Sequence, residues 1–353
     1  MGKAGFMQQI ELGRSGIQVS EWCLGTMTFG NQTAQSDAHA QMDRALAAGI
    51  NFWDTAEMYP VNPVRAETVG LSEQIIGNWF AKTGRRAEVV VATKVAGPNP
   101  NFVRGGKGYD GPTIHQAVDA SLQRLQTDVI DLYQLHWPVR GSYMFRQNWT
   151  YDPSKQNRAA TLAHMDDVLG AMADVVAAGK VRAFGLSNES CWGTARWIDR
   201  ATAMDAPRVA TVQNEYSLMC RMYDTDMAEM AVNEAVTLLA FSPLAAGFLT
   251  GKYQNGAIPE ASRMSLNPDM SGRKTPRAFD TVAAYLDLAA AHGLDPVHMA
   301  LAWHRTRPFA SIPIFGATSV AQLDRILAGA DVVLSPELAT AIDQTHKAHP
   351  MPY

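Results

Sequence analysis

The sequence predicts a closed (β/α)8 barrel of the TIM type, on three observations. Eight short β-rich runs recur along the 353 residues, each followed by a helical pattern; no G-x-G-x-x-G follows any of them; and seven of the eight end in polar side chains. Strands alternating with helices pair in parallel, and eight such units close on themselves, with the chemistry at the strands' C-terminal ends. A Rossmann sheet would need the glycine fingerprint, and GTMTFG (25–30) has the wrong spacing for it.

In chain order, QQIELGRSGIQV (8–19), with its Gly-Arg-Ser-Gly turn, reads as a hairpin that precedes the barrel and plugs its bottom. SEWCLGTM (20–27) is the first barrel run. It is followed by the amphipathic stretch 36–49, with Ser36 as its N-cap and Gly49 as its stop. INFWDTA (50–56), EVVVATK (88–94) and VIDLYQLHW (129–137) are the next three strands. A helical stretch over 161–180 ends at Gly179, and VRAFGLSN (181–188), VATVQNEY (209–216), TLLAFSPL (237–244) and FASIPIFGA (309–317) complete the eight. Segments 97–112, 138–160 and 247–275 exceed a simple loop. The second is rich in aromatics and leaves a strand's C-terminal end, as a substrate lid would. No Pro- or Ser-rich linker divides the chain, so residues 1–353 read as one domain.

Composition narrows the function. A formal net charge of -4 provides no basic stripe for DNA or RNA. No signal-peptide core stands at the N-terminus and no run approaches membrane-span length. Three widely spaced cysteines, Cys23, Cys191 and Cys220, suit a reducing cytosol. His298 and His304 are six apart with no cluster to complete a metal site, so no metal is expected. An Asp54/Glu57 glycosidase pair fails, because nothing sets one carboxylate across a gap from the other.

The polar strand ends are Asp54, Lys94, His136, Ser187 with Asn188, Gln213 with Asn214, Ser242 and Thr318, which converge on one mouth. Strand periodicity puts Val90, Ala92 and Lys94 on one face, and Phe52 with Asp54 on one face of the neighbouring strand. If both faces line the barrel, Lys94 is a buried cation that needs a counterion, and Asp54 supplies it. A structural salt bridge would satisfy that observation equally well. Tyr59 adds chemistry, since a nearby ammonium brings a phenol's proton exchange into a useful range. His136 can donate to the same substrate oxygen. The four suit reduction of a carbonyl and include no covalent nucleophile. Trp137, Tyr143, Trp149 and Tyr151 sit in or beside the long mouth loop, with Trp137, Tyr143 and Trp149 taken as substrate-pocket residues.

These residues resemble the aldo-keto reductases, whose catalytic tetrad is Asp, Tyr, Lys and His in this order. The likeness runs essentially the whole length and looks closest to the bacterial Tas-type branch, through GTMTFG, DTAEMYP, RLQTDVIDLYQLHWP, GLSNES, QNEYSL, SPLAAGFLTGKY and HGLDPVHMALAWHR. The resemblance implies Tyr59 as general acid, Lys94 and Asp54 as its tuning pair, His136 as the orienter of the carbonyl, and NADPH as cofactor. It places Ser187, Asn188 and Gln213 at the nicotinamide carboxamide, Phe241 on the ring face, and Gly25, Thr26 and Met27 beside the ribose. The run Ser242, Pro243, Leu244, Ala246 and Gly247 would hold the pyrophosphate with Lys252 and Arg263, and Gly316, Thr318, Ser319 and Gln322 the 2′-phosphate. Arg325 and Ile326 stand where the family has Glu and Asn, and Arg325 could instead pair with the phosphate. The same resemblance covers potassium-channel β subunits, which imply a cofactor-sensing scaffold, and dehydrogenases that work in the oxidative direction.

Overall fold

The computed structural model describes residues 7–353; the first six residues lie outside it. Two short strands, β1 (Gln9–Glu11) and β2 (Gln18–Ser20), form the expected antiparallel hairpin. Then come β3 (Cys23–Gly25), α1 (Gln35–Ala47), β4 (Phe52–Asp54), α2 (Leu71–Thr83), β5 (Val90–Val95), α3 (Gly111–Leu125) and β6 (Ile130–Leu135). The second half holds α4 (Arg158–Ala177), β7 (Val181–Ser187), α5 (Cys191–Met204), β8 (Val209–Glu215), α6 (Asp226–Glu234) and β9 (Thr237–Phe241). After the four-residue α7 (Arg263–Leu266) come α8 (Pro276–Ala291), α9 (Pro296–Ala302), β10 (Ser311–Phe315), α10 (Val320–Leu327) and α11 (Pro336–Ala348). Strands β3 to β10 pair in parallel and close, β10 lying against both β9 and β3.

One boundary departs from expectation. α1 begins at Gln35 behind Ala34, which has no side chain to cap it, so Ser36 lies inside the first turn. The helix start is fixed by the chain leaving the 26–33 loop, whose backbone is tied by Gly30 N to Thr33 O at 2.9 Å. The C-terminal stop holds: Gly49 follows with φ +85°, a conformation that glycine enters without a Cβ penalty.

Period-two alternation sorts each strand. Trp53, Tyr133 and Phe184 point outward into the helix-facing core, whereas Phe52, Val90, Ala92, Leu132, Leu239 and Ile312 fill the barrel interior. The hairpin adds Leu12, Ile17 and Val19 to that interior cluster and forms its floor. Gly185 lies where the interior has no room for a side chain, since a Cβ there would come 2.3 Å from Thr211 Oγ1. Truncating the floor with Leu12→Ala should lower unfolding free energy by about 2–5 kcal/mol, read from the urea midpoint at unchanged slope.

Candidate active site

Asp54, the last residue of β4, and Lys94, near the end of β5, both point inward above the apolar layer. Lys94 is fully buried, and its Nζ donates to Asp54 Oδ2 at 2.6 Å and to the Thr55 carbonyl at 2.7 Å. Burial works against the ammonium, but the Asp54 carboxylate, together with Tyr59 and Cys23, more than offsets it and holds Lys94 above the ordinary lysine range. Asp54 Oδ1 accepts from Gln213 Nε2 at 2.8 Å and from Gln134 Nε2 at 3.2 Å. Gln134 was not singled out from sequence. The signal was available, since it lies two residues after the inward-facing Leu132 and two before His136.

Tyr59 sits half-buried on the loop after β4, its carbonyl accepting from Gly70 N at 3.0 Å. Lys94 Nζ lies 5.0 Å from its ring centroid, and the His136 ring lies 5.6 Å away, edge-on at 77°. The expected tuning is only partly present. Burial pushes the phenol above its ordinary value, and Lys94 opposes this without reversing it, so Tyr59 stays protonated at neutral pH. His136 is driven well below the usual histidine range by burial and then by Lys94; it is a neutral imidazole, and its Nδ1 is buried without a partner.

The residues at the end of β7 interlock. Ser187 Oγ donates to the Gln213 carbonyl at 2.9 Å, and Asn188 Nδ2 donates to the His136 carbonyl at 2.9 Å. Asn188 Oδ1 is left buried with no partner, so an acceptor waits for a donor. Gln213, read from sequence as a carboxamide ligand, has its Nε2 committed to Asp54 and Gln134 Oε1. Thr26 Oγ1 likewise donates to the Asp54 carbonyl at 2.9 Å.

Beside this cluster runs a groove of about 480 Å³, lined by Gly25, Met27, Ser242 to Leu244, Ala246, Gly247, Lys252, Arg263, Gly316, Thr318, Gln322 and Arg325. Its volume lies in the usual range for small-molecule sites. Ser242, Ala246 and Gly247 have φ of +54°, +56° and +97°, left-handed backbone of the kind that gathers at functional sites. Arg263 is a cation in want of an anion: burial and then Arg273 push it down to about 10, and its Nε is buried without a partner. Ser319 caps α10, its Oγ accepting from Gln322 N. Phe241 ends β9 half-buried, in register with Ile314 on the groove wall. The unpartnered Asn188 Oδ1 and Arg263 Nε, one acceptor and one cationic donor, match the carboxamide and phosphates of a dinucleotide.

Of the aromatic rim, Trp137 is 4.8 Å from the His136 ring, its Nε1 donating to the Pro98 carbonyl at 3.0 Å, and with Met58 and Phe145 it walls an open cavity. Tyr143 packs 6.1 Å from Tyr151 and faces a second, smaller cavity. Trp149 is 61% exposed and contributes to neither cavity nor to the groove, so the structure does not bring it to the mouth. The rim is tied instead at Glu215, which accepts from Arg146 at 2.8 Å, Arg273 at 2.9 Å and the Tyr353 hydroxyl at 3.2 Å. His304 is buried against Ser311 Oγ and His298 lies against the Arg325 carbonyl; among the described residues no cluster of His, Cys, Asp or Glu could hold a metal.

Fold and mouth together define the class: a (β/α)8 barrel with a protonated phenol over a buried ion pair and a long ligand groove alongside. A family model described as "Aldo/keto reductase family" matches residues 21–347, and the chain belongs to that family of oxidoreductases. It is 43% identical to "Protein tas" of Escherichia coli (strain K12), over 98% of this chain and 99% of that one. It is 29% identical to a "Probable voltage-gated potassium channel subunit beta" of Arabidopsis thaliana, over 98% of each. The NADP(+)-designated aldo-keto reductase yakc of Schizosaccharomyces pombe is 29% identical, over 89% of this chain and 83% of the other. Among the described residues no helix is long and apolar enough to cross a membrane.

Removing one member of the buried pair strands the other. Asp54→Asn should destabilise the fold by about 3–5 kcal/mol, and adding Lys94→Met to it should recover part of that loss, both measured by chemical unfolding.

Proposed function

We propose that the protein reduces an aldehyde or ketone to the alcohol with NADPH, Tyr59 acting as general acid. The observation that carries this reading is a phenol kept protonated within reach of a buried, fully counterbalanced lysine. The groove residues would hold the cofactor, which when bound would supply a hydride to the carbonyl carbon. Tyr59 Oη gives its proton to the carbonyl oxygen, and the Lys94 ammonium stabilises the phenolate left behind. Asp54 keeps Lys94 charged and in place, while Gln134 and Gln213 hold the carboxylate's other oxygen. His136, neutral and beside Tyr59, offers an N–H to the same carbonyl oxygen and fixes its orientation.

The residues assigned to the cofactor divide by chemistry. Asn188 Oδ1, with Ser187 and Gln213 around it, takes the carboxamide, and Phe241 the ring face. Gly25, Thr26 and Met27 border the ribose. Ser242, Pro243, Leu244, Ala246 and Gly247 with Lys252 and Arg263 hold the pyrophosphate, and Gly316, Thr318, Ser319, Gln322 and Arg325 the adenosine phosphate. Trp137 and Tyr143 face the substrate, and the three unpaired cysteines suit a cytosolic protein. The likeness to a plant channel subunit supports a second reading, a cofactor-sensing subunit. A stoichiometric membrane-protein partner recovered with the chain, together with negligible turnover, would favour it.

Tyr59→Phe should cut NADPH-dependent aldehyde reduction by about 10²-fold or more while NADPH still binds, followed by nucleotide absorbance and fluorescence. Equal activity in the variant would remove Tyr59 from the mechanism. The pH profile has a defined sign: His136 titrates well below its usual 6.5, and Tyr59 loses its proton above its usual 10.0. The reductive rate should therefore stay level from pH 6.5 through the neutral range and fall to half only above pH 10, in a buffer series with a saturating aldehyde.

A further inference from the structure

Three cations line the groove. Lys252 and Arg263 come from the segment after β9, and Arg325 alone comes from α10, beside Thr318 and Gln322. Arg325 is already engaged: its Nε donates to Asp295 Oδ2 at 2.8 Å and its Nη2 to Asp295 Oδ1 at 2.9 Å, a two-pronged fork that leaves Nη1 uncommitted. Asp295 is itself fixed, because Oδ1 accepts from Val297 N at 2.8 Å and so caps α9. His298, on α9, reaches back to the Arg325 carbonyl at 2.6 Å, so α9 and α10 hold one another at this corner. Across the corner, the Thr318 amide and hydroxyl both point to Gln322 Oε1, at 3.0 and 3.2 Å. No other cation among the groove-lining residues comes from β10 or α10.

We propose that Asp295 is a specificity-determining residue for the dinucleotide: by neutralising Arg325 it removes the net positive charge from this end of the groove, so that the 2′-phosphate distinguishing NADPH from NADH gains little there. The inference rests on the dinucleotide reading above and deepens it. A phosphate monoester carries about two negative charges, and a guanidinium paired with a carboxylate presents it with a dipole instead of a charge. NADPH remains the better ligand, by a narrow margin.

Asp295→Asn tests this with little collateral change, since asparagine caps a helix as well as aspartate does and nearly matches its shape. The full chain is titrated with NADPH and with NADH at fixed salt, and binding is followed by tryptophan quenching or calorimetry without any turnover. The wild-type chain should prefer NADPH by less than roughly tenfold. Asp295→Asn should widen that preference by about tenfold, the scale of one charged hydrogen bond, through the NADPH constant alone. Adding Arg325→Ala should abolish the gain, and Asp295→Glu should restore the wild-type ratio. An unchanged ratio in Asp295→Asn, equal shifts for both nucleotides, or a wild-type preference above roughly tenfold would overturn the proposal while leaving the reductase reading intact. Binding of neither nucleotide would overturn both.

Discussion

A lysine ammonium with no exposed surface sits at the top of the barrel interior, and one aspartate makes it tolerable. Isolated, either charge would cost several kcal/mol to take out of water, and mutual attraction repays that only when the remaining hydrogen-bonding capacity is also filled. Here three further partners take up most of it. Lys94 spends donors on Asp54 and on the Thr55 carbonyl, and Asp54 uses its second oxygen on Gln134 and Gln213. The pair therefore binds β4, β5, β6 and β8 into one register. A slip of one residue in any of them would turn its polar group outward and leave a charge unsatisfied.

The same pair sorts the protonation states around it. A phenol and an imidazole within about 6 Å of each other are both neutral. Burial favours neutrality for each, and the ammonium lowers the proton affinity of both, which works against neutrality at the phenol and reinforces it at the imidazole. A barrel mouth offers few places where a donor, a neutral hydrogen-bonding ring and a charged neighbour can meet without titrating one another. The division of roles follows from depth: Lys94 lies inside the strands, His136 at their rim and Tyr59 on the loop above.

Most of the architecture was legible because parallel barrel strands keep strict alternation, and that alternation is written in residues such as Phe52–Trp53–Asp54 and Ala92–Thr93–Lys94. Asp54, Lys94 and His136 were legible for the same reason, as polar residues closing apolar runs, whereas Tyr59, on the loop beyond β4, was picked out by its phenol and by family resemblance. Three things were not. The balance at Tyr59 depends on how much water the fold removes, which no spacing encodes. Trp149 shares a loop with Tyr143, yet loop residues follow no period, and the ring turned to solvent. The Arg325–Asp295 fork joins residues 30 apart on two helices whose mutual placement only the closed barrel determines. Gln134 differs from these, since the alternation that revealed Lys94 pointed to it as well.

The hairpin that floors the barrel bears on all of this. With Leu12, Ile17 and Val19 filling the bottom, the ion pair has an apolar stopper beneath it and a single aqueous face above. The local dielectric is thus governed from one side only. Whatever settles over the mouth, ligand or rim segment tied at Glu215, strengthens every charge interaction under it at once, so that occupancy of the groove and the electrostatic force of the site rise together.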